Sequence, residues 1–125
     1  MHVERQAITV TTAAANGLMY SGNVTGAVAI IRYVKGDFDN GSTITITGEA
    51  TGVNLWTEVG VNASETMMPV AAPQLASGAD STISEVRIPL ANERISIAVT
   101  AGGAAKSGVF HITVEGNIAG DPAAA

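Results

Sequence analysis

The sequence predicts an all-β domain, an antiparallel sandwich or barrel of about seven short strands, and three observations predict it. Apolar residues recur at every second position in several separate runs. Gly, Asn and Pro punctuate those runs at intervals suited to turns. No stretch carries the 3.6-residue period of an amphipathic helix. At 125 residues the chain is long enough for one core, and residues 1–115 are expected to form that domain, with 116–125 as a flexible C-terminal arm.

The elements follow in order. Val3 to Thr12 alternates Ile8 and Val10 with Thr9 and Thr11 and reads as a first strand, broken by Ala13 to Gly17. Val24 to Val34 carries Val24, Val28, Ile30 and Val34 at even positions and Ala27, Ala29, Ile31 and Tyr33 at odd ones. Both faces are apolar, as in a strand covered on one side by the second sheet and on the other by a loop or a neighbouring subunit. Gly26 and the β-branched run favour strand over helix. Lys35 to Ser42 (KGDFDNGS) is rich in turn residues, and Ser42 to Thr47 (STITIT) resumes with Ile44 and Ile46 on one face. Leu55 to Val61 groups Leu55, Thr57, Val59 and Val61 opposite Trp56 and Glu58.

Met67, Met68 and Pro69 fit a short strand, whereas Ala71 to Asp80 has no period and reads as a long loop, functional or wrapped around a partner. Val86, Ile88 and Leu90 then alternate with Glu85, Arg87 and Pro89, the proline marking an edge or a strand end. Glu93 to Glu115 reads as a β-hairpin. Ile95, Ile97 and Val99 on one arm would face Val114, Ile112 and Phe110 on the other, closing over Gly103 to Lys106.

Composition narrows the function classes. Charged residues make up 14% of the chain and the net charge is −5. The cations are Arg5, Arg32, Lys35, Arg87, Arg94 and Lys106, which form no basic stripe, so nucleic acid is an unexpected partner. Cysteine is absent, so no disulfide or thiolate metal site is available. No apolar run approaches the about 20 residues of a membrane helix, and the charged start MHVERQ lacks a signal-peptide core. A soluble, unprocessed chain with no membrane partner is expected. A surface so poor in charge has little protection against association, which points to permanent assembly.

Chemical motifs are weak. Asp37 and Asp39 in Gly36 to Gly41 invite a calcium loop, but the pattern wants Asp or Asn at 41, Gly at 42 and Glu at 48, and the chain has Gly41, Ser42 and Gly48. A plain acidic turn is the simpler reading. Thr100 to Ser107 (TAGGAAKS) ends in Lys-Ser like a phosphate-binding loop, yet lacks its flanking glycines and precedes a strand. His111, the sole internal histidine, has no neighbouring ligand in sequence and reads as an ordinary strand residue. No spacing of Ser, His and Asp points to a nucleophilic triad. The reading is therefore of a non-enzyme with no cofactor and no metal. Trp56 reads either as a core or sheet-closing residue or as an interface anchor. Trp56, Met67, Met68 and Leu75 are the interface candidates, because interfaces favour such side chains.

Three stretches, Ile31 to Thr57, Glu93 to Gly116 and the loop between them, resemble small virion proteins encoded with the head genes of tailed bacteriophages. An arginine-tyrosine strand, a Thr-Ile-Thr-Gly-Glu strand end and a glycine-rich Lys-Ser-Gly hairpin carry the resemblance. It implies a jelly-roll-like sandwich of about seven to eight strands. It further implies a capsid cement or decoration protein: a dimer or trimer bound to the major capsid protein on the virion exterior, assembled in the host cytoplasm. A collar or tail position and a glycan-binding module are the alternative roles.

Overall fold

The structure, a computed structural model, describes residues 2–71 and 86–116. Among these there are eleven strands and no helix: β1 (His2–Thr11), β2 (Gly17–Tyr20), β3 (Val24–Val34), β4 (Ser42–Gly48), β5 (Asn54–Val61), β6 (Glu65–Met67), β7 (Val70–Ala71), β8 (Val86–Arg87), β9 (Pro89–Glu93), β10 (Ile95–Thr100) and β11 (Ser107–Gly116). They build two antiparallel sheets. One runs β1-β11-β3, with β6 and β9 sharing the free side of β3; the other runs β2-β10-β4-β5. The chain is nested about the β4–β5 hairpin, with β3 beside β6 and β9, β2 beside β10, and β1 beside β11. That is the order of a jelly roll. Because β6 and β9 occupy one edge position and β7 and β8 form a separate two-stranded pair, eight positions make up the sandwich, in line with the expected number.

The core lies between the sheets, where Val10, Ile31, Ile44, Ile46, Ile95, Ile97 and Phe110 are fully buried. Each such side chain contributes about 1.5–3 kcal/mol relative to exposure. Tyr33 is the hub of an aromatic group: its ring centroid lies 4.8 Å from Phe110, 6.2 Å from Trp56 and 6.3 Å from Phe38.

The expected terminal hairpin does not form. β10 pairs with β2 and β4, β11 pairs with β1 and β3, and the connection between them crosses from one sheet to the other. All six apolar residues still point into the core. Alternation dictates which face is buried, and two strands facing each other across a sandwich alternate just as two strands paired in one sheet do.

Bulges account for the other departures. In β3 the register against β11 slips so that Thr113 opposes Ile30 and Val114 opposes Val28, leaving Ala29 as the extra residue. The buried phase therefore changes from Val24 and Val28 to Ile31 and Tyr33, and Ile30 and Val34 are left exposed. In β5, slips at Leu55 and at Val59-Gly60 break the expected grouping. Leu55, Trp56 and Val61 are buried, while Val59 is exposed.

Gly116 ends β11 opposite His2 and so belongs to the sheet, one residue past the expected domain boundary. The rest of the proposed arm, and the loop from residue 72 to residue 85, lie outside the described residues.

Candidate functional site

The outer face of the β2-β10-β4-β5 sheet is built from the alternate positions left over when isoleucine and valine turn inward. Thr43, Thr45 and Thr47 on β4 lie beside Thr100, Ala98 and Ser96 on β10. Beyond them, Leu18 and Tyr20 on β2 oppose Ala98 and Ser96, and Thr57 and Asn54 on β5 oppose Thr45 and Thr47. These positions carry hydroxyls, methyls and one amide but no formal charge. Cross-strand Thr–Thr and Thr–Ser pairs stabilise such a face without ions. At one margin lies the Arg94–Glu49 ion pair, with the guanidinium 4.1 Å over the Tyr20 ring.

On the β2 flank, Leu18, Met19 and Tyr20 are 55%, 48% and 36% exposed, and β2 is an edge strand. An apolar edge with unpaired backbone groups is a template for association.

The interface candidates divide. Trp56 is in the core, 6% exposed and packed on Tyr33, so it is no surface anchor. Met67 is half-buried against the core, and Met68 is exposed just beyond β6. Leu75 lies outside the described residues. Of the five aromatic side chains, only Tyr20 reaches solvent appreciably, so no aromatic platform for a sugar is present.

The motif-like loops serve the fold. Asp37 accepts the Ser107 N–H at 2.8 Å, and the Lys35 ammonium donates to the Phe38 carbonyl at 2.6 Å. Phe38 dips from this otherwise polar turn into the core. Amides of the Thr100 to Ser107 loop are also engaged. Gly102 donates to the Ala15 carbonyl, Ala105 to the Ala13 carbonyl, and Lys106 to the Thr12 hydroxyl. Those N–H groups are not free to cradle a phosphate. His111 points outward from β11, between Ala7 of β1 and Arg32 of β3, with its Nδ1 shielded and without a hydrogen-bond partner.

A second polar cluster joins the two sheets where β5 passes to β6. Glu58 opposes Ile44 and so turns inward from the edge of one sheet; Glu65 opposes Tyr33 and turns inward from the edge of the other. The two carboxyls are hydrogen-bonded, which holds Glu65 above the ordinary carboxylate range, reinforced by burial and by the Glu58 charge. Burial, and secondly the Glu65 charge, push the Tyr33 phenol up to about 12. The Tyr33 hydroxyl and Glu65 Oε2 are both buried without partners, a cost of about 1–3 kcal/mol for each such group. This cluster had no local signal, because its members are scattered over three strands. Among the described residues, no three His, Cys, Asp or Glu side chains group as metal ligands.

No protein-family model matches the chain, and no curated protein matches it. Among solved structures, it is similar to a chain from work titled "Bacillus endospore appendages form a novel family of disulfide-linked pili", at 21% identity and a TM-score of 0.44, covering 90% of this chain and 84% of that one.

Proposed function

We propose that this chain is a structural protein of a bacteriophage virion, a capsid cement or decoration protein that forms a homo-oligomer on the major capsid protein. The observation that carries the reading is the uncharged outer face of the β2-β10-β4-β5 sheet, flanked by the apolar edge of β2. Covering that face strips water from hydroxyls and methyls, not from ions, so association avoids the desolvation penalty of charged groups. Apolar surface removed from water contributes about 25 cal/mol per Å², repeated at every copy in a lattice. The jelly roll supports the reading as architecture, since viral capsid domains use it, although lectins and cupins use it too.

The test is the copy number in purified virions. Densitometry against the major capsid band is expected to give a stoichiometry comparable with the capsid subunits, retained after a brief wash at high salt because attachment is not ionic. A few copies per particle would place the chain in a collar or tail. Release by salt, or absence from the particle, would contradict cement.

A further inference from the structure

The outer face of the first sheet differs in charge from that of the second. Arg5 on β1, His111 and Thr113 on β11, and Arg32 on β3 turn outward, because Ile8, Ile112 and Ile31 take the buried phase of the same strands. Register sets them on a diagonal: Arg5 opposes Thr113, and Arg32 opposes His111. Among the described residues the ion pairs are Arg87–Glu115 and Arg94–Glu49, so neither Arg5 nor Arg32 has an acid partner. The Arg32 guanidinium donates to the Thr66 hydroxyl at 3.1 Å. Acids of the described residues lie elsewhere. Glu58 and Glu65 turn inward, Glu4 opposes Val114 in the inward phase of β1, Glu93 is buried, and Asp37, Asp39 and Glu49 sit in connections. Only Glu115 shares the face, and Arg87 holds it. A chain of net charge −5 thus carries one face on which cations outnumber acids, and such a local excess attracts anionic groups.

The spacing suits carboxylates. β1 and β3 flank β11, so Arg5 and Arg32 stand two strand spacings apart with a stagger of two residues, about 12 Å between Cα atoms. Between them Thr113 offers a hydroxyl, and His111 has its Nδ1 shielded, which leaves Nε2 as the nitrogen a ligand can reach. Guanidinium groups are weakly hydrated and hold carboxylates through paired N–H donors. Ile30 and Val34 flank Arg32 along β3 and are exposed on the same face. A partner that fits therefore combines carboxylates with apolar side chains, as an acidic peptide segment does. Nucleic acid fits less well, because its backbone needs many cations to neutralise it and offers nothing to Ile30 and Val34.

We propose that Arg5, Arg32 and His111, on the outer face of the β1-β11-β3 sheet, form a docking site for an acidic peptide segment of a partner protein. This site lies on the opposite side of the sandwich from the uncharged face and does not depend on the virion reading. The two faces differ in their response to salt. Contacts through hydroxyl and methyl groups persist as ionic strength rises, whereas carboxylates bound by exposed arginines are released.

Fluorescence anisotropy of a fluorescein-labelled peptide rich in glutamate and containing two leucines, titrated with the full chain, tests the site. Binding is expected at low salt and should weaken about tenfold when salt rises about tenfold. Arg5→Gln and Arg32→Gln should each weaken it about threefold, the double variant about tenfold, and His111→Phe about twofold. Both arginines are exposed, so these variants should keep the circular dichroism spectrum of the wild type. Lys106→Gln removes the same charge from the β10–β11 connection, away from the face, and should leave the affinity unchanged. Failure of the wild type to bind overturns the site, and so does a loss in the double Arg variant no larger than in Lys106→Gln. Equal binding of the peptide with every glutamate replaced by glutamine overturns the carboxylate recognition. Tighter binding of an oligothymidylate of equal charge overturns the peptide as partner and assigns the face to nucleic acid.

Discussion

At the scale of single residues, a few side chains hold connections that alternation alone would leave loose. Thr12 is buried, and its hydroxyl accepts the Lys106 N–H at 2.9 Å and reaches the carbonyls of Gly103 and Lys106. Thr12→Val keeps the shape but strands these groups, so urea denaturation should show a loss of about 1–3 kcal/mol. Glu65 gives a pH signature with a definite sign. Its native pKa is raised above the ordinary 4.5, so the folded state binds the proton more tightly than the unfolded chain. Its contribution is fully present below about 4.5 and is lost as pH rises through the elevated native value. Melting midpoints of the wild type should therefore fall across that window more steeply than those of Glu65→Gln, with Glu58 and the Tyr33 phenol as the neighbouring titratable groups. Equal slopes would remove Glu65 from the account. Trp56, enclosed by its own chain, should fluoresce as a buried indole whose emission maximum does not move on dilution. A red shift on dilution would return it to an interface.

At the scale of elements, β3 shows how a local irregularity serves the sandwich. Gly26 has φ +134°, and a Cβ there would lie 2.4 Å from the Glu115 carbonyl oxygen. Gly26→Ala should therefore cost at least about 1 kcal/mol and loosen the pairing of β3 with β11, read as faster amide exchange along both strands. Much of this level was legible in the sequence. β3 and the STITIT strand stand where their apolar periods put them, and Pro89 begins an edge strand. The pairing of β10 and β11 was not legible, since buried alternation is the same for neighbours within a sheet and partners across it. β2 was missed because GLMY has no polar alternation and is largely exposed. Phe38 was hidden in a turn-rich stretch, and the two slips in β5 scrambled the faces assigned to Val59 and Trp56. The Glu58–Glu65 contact joins strands of different sheets, a proximity no sequence spacing encodes.

At the scale of the whole molecule, eight strand positions wrap one apolar core and present a sheet face that carries hydroxyl and methyl groups without ions. The central claim is that this face and the adjoining β2 edge are made to be covered. Ala98 stands near its middle, between Thr45 and Leu18, so Ala98→Lys places one charge where association would have to desolvate it. Sedimentation velocity of the wild type and of Ala98→Lys, at low and high salt, is the most direct test. The wild type should sediment as a discrete dimer or trimer at both salt concentrations, and Ala98→Lys as a folded monomer with an unchanged far-ultraviolet circular dichroism spectrum. A wild type that is monomeric throughout, or an Ala98→Lys variant that assembles as the wild type does, would contradict it.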